Sequence, residues 1–467
     1  MKTETKMIAL EIAVVLCSAL LVATLPAAAI TNYESGITNY EEAAQEDETL
    51  GIYGNANEDD TIDMRDLTYV KLIFFGKKPE TELADAKYDG KINPLDFIQI
   101  KLIIVGKEKE ITMLQYIGTP PDITEEPITL SLPIDRIVTL NCYACEALCV
   151  FGLEDKIVGV DKFTKDFGEI AEFVKDKEEV GQHIEVGIDI EKVISLEPDV
   201  VVAVTYASKY YPQYEEQLSY AGIPMLLMDV YYPEKADREL RNLGWLFDKQ
   251  ERAEELINFE EEIFDLIDER VSGIPEDKKT RACYSVYCPC DPIYAQGPDY
   301  KKSDIYYELS YKDGSPYPYF IAGSGTTGHN IIVRCGGINV FADMEGHQQV
   351  DPEAMLERSP EIFIMGVYPK YAGFVECGYS TEDDSTLKEL REVMMSQPGW
   401  SDISVCPICS EAGGIHTSIQ HSYIVKWLHP ELFEDIDPEA IHTEWLQEFL
   451  GIEYKGVYAY PLPWEQD

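Results

Sequence analysis

The stretch RIVTLNCYACEALCVFGLEDKIVGVD, Arg136 to Asp161, decides the fold. It opens on a continuous apolar run (RIVTL), passes through a helix-length segment and closes on a second apolar run (KIVGVD). Unbroken apolar runs suit strands buried on both faces, and their alternation with helical segments indicates a parallel sheet covered by helices. The alternation continues in DVVVAV (199–204) and PMLLMD (224–229), and a second set begins with RACYSVY, EIFIMGVY and the stretch around SVCPI. Between the two sets, Leu256, Phe259, Ile263 and Ile267 repeat at helical spacing on a charged background. They predict an amphipathic helix from Glu251 to Val271, about 30 Å long. The expected fold class is α/β, with two lobes built on central parallel sheets, 130–235 and 273–467, joined by one long helix within a connecting segment, 236–272.

Upstream of the lobes, two acidic twelve-residue loops recur thirty residues apart, NANEDDTIDMRD (Asn55 to Asp66) and DAKYDGKINPLD (Asp85 to Asp96). Each is followed by an apolar segment, LTYVKLIFFGKK or FIQIKLIIVGKE, with Lys71 and Lys101 in register, which marks a duplicated unit. A calcium loop supplies about six to eight oxygens, from positions 1, 3, 5 and 12 and from the backbone carbonyl of position 7. In the first loop these are Asn55, Asn57, Asp59, Asp66 and the carbonyl of Thr61; in the second they are Asp85, Asp89, Asp96 and the carbonyl of Lys91. Position 12 is Asp in place of the longer Glu, and Lys87 occupies position 3 of the second loop, so the second site is expected to be weaker. Asp at position 12, one helix ending in Gly after each loop, and the duplication together resemble type I dockerin modules. The resemblance implies a small all-α calcium-loop domain over 51–111, calcium as its cofactor and a cohesin-type protein as its partner.

The chain has 467 residues and a formal charge of -48, enough for two to four domains with real cores. So acidic a surface repels polyanions, which excludes nucleic acid as a partner bound through basic patches. At the N-terminus, Lys2 and Lys6 precede an apolar run from Ile12 to Leu25 and then Ala27, Ala28 and Ala29. That order is expected of a secretory signal over 1–29, giving a secreted or cell-surface protein; an uncleaved membrane anchor is the alternative. An acidic linker is expected over 30–50, where ITNYE occurs twice, and a Pro- and Thr-containing linker over 112–129.

Over about Ile134 to Leu450, the opening segment, VGIDIEKVISLEPDVVVA, GGINVFAD, HQQVDPEAMLERSPEIFIM, PGWSDI and KWLHPELFEDIDPEA resemble, in order, periplasmic binding proteins for iron-siderophore, haem and vitamin B12 uptake. The resemblance implies binding in an interlobe cleft, no enzymatic activity, and delivery of an iron chelate, haem or corrinoid to an ABC transporter permease. It places permease-docking glutamates at Glu191 and Glu353. Ligands of α/β sheets sit beyond the carboxyl ends of the strands. Those ends offer Tyr143, Lys162, Tyr206 and Tyr231 in the first lobe, and Tyr287, Tyr368 and His416 in the second, with Ser324, Thr326 and His329 of GSGTTGH, and with His347. Aromatic rings with a few polar groups suit a flat or macrocyclic ligand.

Ten of the eleven cysteines follow the signal, an even count that favours disulfides in an exported chain. Two CxxC pairs, Cys142/Cys145 and Cys406/Cys409, also have soft-metal spacing. Two other function classes are thereby left open: a cohesin-docked extracellular enzyme, and a metal or redox surface protein using the CxxC pairs. No nucleophile motif or recognisable pair of catalytic carboxylates supports the enzyme.

Overall fold

The duplicated loops lead into two helices of equal length, α1 (Met64–Phe74) and α2 (Pro94–Ile104). Each begins at the tenth loop position and carries a capping box, Asp63 with Asp66 in the first and Asn93 with Asp96 in the second. Each is followed by a left-handed glycine, Gly76 (φ 65°) or Gly106 (φ 62°), a conformation that costs glycine little. The computed structural model describes residues 49–119, 122–285, 319–369, 376–396 and 399–462. The expected signal, nearly all of the acidic linker, Tyr287, Cys288 and Cys290 lie outside the described residues.

The expected linker over 112–129 is instead a β-hairpin. Strands β1 (Glu110–Thr119) and β2 (Asp122–Ser131) pair antiparallel from Glu110↔Ser131 to Thr119↔Asp122. Ile111, Met113 and Tyr116 of β1 are buried, whereas most of β2 is exposed, so Pro127 sits on an edge strand where a missing N–H is harmless. The hairpin fastens the acidic-loop segment to the first lobe. The Leu114 N–H donates to the Gly51 carbonyl (2.7 Å) and the Tyr53 N–H to the Thr112 carbonyl (2.9 Å). On the lobe side, the Gly118 N–H donates to the Thr205 carbonyl (3.1 Å), and the Leu227 N–H donates to Gln115 Oε1 (2.9 Å). Residues 51–111 are therefore no free-standing all-α domain; the described residues from Thr49 onward belong to one compact unit.

Lobe 1 follows the expected alternation: β3 (Ile137–Thr139), α3 (Cys142–Val150), β4 (Ile157–Val160), α4 (Lys162–Asp166), β5 (Glu178–Glu179), α5 (Ile190–Ser195), β6 (Val200–Ala203) and β7 (Met225–Leu227). The strand order is β5-β4-β3-β6-β7, with every pair parallel. The connecting segment holds two helices, α6 (Pro233–Leu246) and α7 (Gln250–Val271), the second being the predicted one. They approach closely at Gly244, where an added Cβ would lie 2.8 Å from the Ala253 Cβ.

Lobe 2 comprises β8 (Arg281–Ser285), β9 (Tyr319–Ala322), α8 (Thr327–Arg334), β10 (Ile338–Asn339), β11 (His347–Val350), α9 (Pro352–Arg358), β12 (Ile362–Val367), β13 (Ser404–Cys409), α10 (Thr417–Leu428) and α11 (Pro438–Trp445). Its sheet runs β11-β9-β8-β12-β13, with β10 beside β8. The expectation of a wholly parallel sheet is corrected here, because β9 runs antiparallel to both β8 and β11. The apolar core strands β8, β12 and β13 are parallel.

The Gly51 N–H is buried and donates to Asn242 Oδ1 on α6 (2.9 Å). Asn242→Ala removes that acceptor and should cost about 1–3 kcal/mol, the penalty of an unpaired buried donor. Calorimetry should also give one transition for the acidic-loop segment and lobe 1 together, and two separate transitions would contradict the shared interface.

Candidate interlobe site

The carboxyl ends of the lobe 1 strands are fixed by buried polar groups. Asn141 caps α3, its Oδ1 accepting from the Tyr143 N–H (2.9 Å) and the Ala144 N–H (3.3 Å), while its Nδ2 donates to the Met228 carbonyl (2.7 Å). The start of α3 is thereby tied to the end of β7. There Val230 adopts φ 52°, a left-handed conformation that costs a β-branched residue of order 1–3 kcal/mol. Glu239 of α6 holds it, accepting from the Asp229 N–H (3.2 Å) and the Val230 N–H (2.6 Å). Burial pushes Asp229 up to about 6; burial and the neighbouring Asp229 push Glu239 up to about 8.

This bend presents Tyr231 and Tyr232 to an aromatic ladder. Phe167 meets Tyr143 (5.6 Å between centroids), Tyr143 meets Tyr231 (5.1 Å) and Tyr231 meets Tyr232 (4.4 Å). Tyr232 then lines a cavity of about 380 Å³ whose other walls include Lys235, Gly325, Thr327, Asn330 and Arg334. The cavity thus lies between the end of β7 and the amino end of α8, with residues of both lobes in its wall.

The predicted residues divide. Tyr143 and Tyr231 join the ladder, and the GSGTTGH loop reaches the cavity, but through Gly325 and Thr327. Ser324 Oγ donates to the Met344 carbonyl (2.9 Å); Thr326 Oγ1 donates to the Gly323 carbonyl (2.7 Å) and accepts from the His329 N–H as the cap of α8 (3.2 Å). An N-cap threonine three residues before His329 was the signal that its hydroxyl was already committed. His329 Nδ1 lies 3.1 Å from Asn339 Nδ2, and His347 is stacked on Phe320 (5.2 Å). Lys162 pairs with Asp166 (2.5 Å), and Tyr206 donates to Glu185 (3.1 Å). Tyr368 is half-buried just past β12.

His416 is completely buried, in a cluster that sequence reasoning otherwise missed. Its Nε2 lies 3.2 Å from Glu169 Oε2 and 3.4 Å from Glu146 Oε1. His442 Nε2 lies 3.0 Å from Glu169 Oε1, and the Tyr458 hydroxyl donates to that same oxygen (3.0 Å). Burial alone would raise Glu169, but His416 and His442 hold its carboxyl well below the usual range; burial pushes Glu146 up to about 8. A lone Glu inside the apolar helix CYACEALCV was the available sequence signal. Glu411 adds a further interlobe link, its Oε1 accepting from the Gly168 N–H (3.1 Å).

The acidic loops are built alike. In the first, Asp66 accepts from the Asn57 N–H (3.2 Å) and the Asp63 N–H (2.7 Å); in the second, Asp96 accepts from the Lys87 N–H (3.1 Å) and the Asn93 N–H (2.7 Å). In the first loop Asn57 Oδ1 is buried with no hydrogen-bond partner, and burial raises Asp66 to about 6. Both observations fit an oxygen cradle for a hard cation.

The cysteines do not behave as their spacing suggested. The eight in the described residues are buried and free in this structure. Cys406 and Cys409 are three apart on strand β13, which directs them to opposite faces of the sheet. Cys409 instead lies 3.0 Å from Cys377.

Residues 137–404 match the periplasmic binding protein family, and the chain belongs to it. It is 24% identical over 344 residues to an uncharacterised ABC transporter substrate-binding lipoprotein, YvrC, of Bacillus subtilis, covering 73% of this chain and 84% of that one. It is 26% identical over 244 residues to the vitamin B12-binding protein of Vibrio cholerae, covering 51% of this chain and 73% of that one. Among solved structures, the TroA-like periplasmic binding protein FepB of Veillonella parvula shares the fold, with a TM-score of 0.56 at 20% identity over 72% of this chain and 96% of that one. The molybdate-bound MolA of Haemophilus influenzae gives 0.52 at 18% identity over 71% and 97%. Among the described residues no helix is long and apolar enough to cross a membrane.

The raised Glu239 keeps in the folded state a proton that the unfolded chain releases near about pH 4.3. Stability from this group is complete below that pH and is lost as the pH rises through about 8. The fall in Tm between pH 5 and pH 8 should therefore be shallower in Glu239→Gln than in the parent; an equal slope would assign the proton elsewhere.

Proposed function

We propose that the protein is the solute-binding component of an ABC importer and captures a corrinoid, haem or ferric siderophore between its lobes. The observation that carries this reading is the interlobe cavity, with Tyr232 on one wall and the start of α8 on the other. Its volume of about 380 Å³ falls within the range of about 300–1,000 Å³ of small-molecule sites. A ladder of aromatic rings leading to it suits a flat or macrocyclic ligand. Lys235 and Arg334 put positive charge in the wall of a protein whose formal charge is -48, which favours anionic groups such as carboxylates or propionates. The vitamin B12-binding relative supports the corrinoid arm.

Glu191 and Glu353 serve as the permease contacts. Each is exposed at the second position of its helix, behind an aspartate cap, Asp189 or Asp351. Charges so placed steer and orient docking more than they add affinity. The acidic loops form a dockerin-like calcium module that binds a cohesin-type partner outside the cell. Asn55, Asn57, Asp59, Asp66 and the Thr61 carbonyl would hold the first calcium, which neutralises the loop and fixes its shape. Asp85, Asp89, Asp96 and the Lys91 carbonyl would hold the second, more weakly because Lys87 supplies no oxygen.

Thermal-shift and absorption titrations of the purified chain with cobalamin, haemin and ferric siderophores should single out one class, and binding of none would overturn the transport reading. A Glu191→Ala/Glu353→Ala variant should keep ligand affinity and lose most uptake in a reconstituted importer. For the module, calcium should protect residues 51–111 from proteolysis; Asp66→Ala should abolish most of that protection and Asp96→Ala less of it.

A further inference from the structure

Four side chains from four separate parts of the chain meet in the seam between the lobes. Glu146 of α3 and Glu169, three residues beyond α4, come from lobe 1; His416, which precedes α10, and His442 of α11 come from lobe 2. Their exposures are 0%, 1%, 0% and 0%. Among the described residues, Glu169, His416 and His442 are the one group of three such side chains whose donor atoms all lie within 4.8 Å of one another. Glu146 adds a fourth, 3.4 Å from His416 Nε2.

Three features point to an ion. The first is spacing: a tetrahedral site with zinc–ligand bonds of about 2.0–2.1 Å separates its ligand atoms by about 3.3 Å. The nearest contacts are of that order, 3.0 Å from His442 Nε2 to Glu169 Oε1, 3.2 Å from His416 Nε2 to Glu169 Oε2 and 3.4 Å from His416 Nε2 to Glu146 Oε1, with one donor atom each of Glu169, His416 and His442 mutually within 4.8 Å. The second is Glu146, whose two oxygens are buried and have no hydrogen-bond partner. A buried carboxylate in that condition is expensive, and Glu146 is aimed into the cluster. The third is charge. With both carboxyls ionised and both imidazoles neutral, the four side chains carry two negative charges, which one divalent cation balances.

We propose that Glu146, Glu169, His416 and His442 bind one zinc-type divalent cation that bolts the two lobes together. Imidazole with carboxylate suits zinc, cobalt or nickel and not calcium, so this site is chemically distinct from the acidic loops. Tyr458, donating to Glu169 Oε1, orients the ligand carboxylate. Because the ligands come from both lobes and are enclosed, the ion enters while the lobes are apart and is trapped when they meet.

The test uses the full chain, stripped with chelator and returned to excess calcium so that the acidic loops are filled. Zinc should then bind with one equivalent and raise Tm, and cobalt should give the intense visible bands of a tetrahedral site. Glu146→Gln preserves shape and removes charge; it should weaken cobalt binding about tenfold or more, as the loss of a tuned ligand does. His442→Gln should shift or abolish the cobalt bands. Absence of a zinc equivalent in the folded parent, or an unchanged cobalt spectrum in both variants, would overturn the proposal.

Discussion

The seam between the lobes depends on one buried carboxylate. Glu169, from a short turn of lobe 1, meets His416, His442 and Tyr458, all from lobe 2, at 3.0 to 3.2 Å. Placing that charge in an interior is costly unless every lone pair is answered, so the two lobes must come together in one register or not at all. Glu411 reinforces the register from the other side by accepting from the Gly168 N–H, and Glu260 of α7 does so by accepting from the N–H and hydroxyl of Ser418. The seam is therefore specified by polar pairing, with apolar burial supplying the bulk of the driving force behind it.

Most of the α/β architecture was legible because apolar runs have few uses. RIVTL, KIVGVD, DVVVAV and PMLLMD became β3, β4, β6 and β7, and the helical stripe of Leu256 and Ile267 became the buried side of α7. The hairpin was not legible. Pro and Thr around residue 120 suggested a spacer, and only tertiary contact explains β1, which is covered by the acidic-loop segment and by lobe 1. The antiparallel β9 was missed for a related reason: pairing direction is set by how the chain returns, which no local pattern records.

The geometry around the cavity was legible in part. Strand ends and aromatic character pointed to Tyr143 and Tyr231, which lie in the ladder of rings that ends at Tyr232 on the cavity wall. In the GSGTTGH loop, Thr326 and Ser324 satisfy backbone groups, and the cavity is lined by their neighbours Gly325 and Thr327. His416 was chosen as an open ligand and proved enclosed. Its partners Glu146, Glu169 and His442 are hundreds of residues apart in part, and a constellation of that kind carries no spacing signature.

The hairpin has a mechanical meaning. Its hydrogen bonds run to Gly51 and Tyr53 on one side and to Thr205 and Leu227 on the other. A pull on the acidic-loop segment is thus carried straight into the edge of lobe 1, through backbone pairing and the Gln115 side chain. The segment is a handle, not a leash, and whatever grips it sets the attitude of lobe 1 as well as its whereabouts.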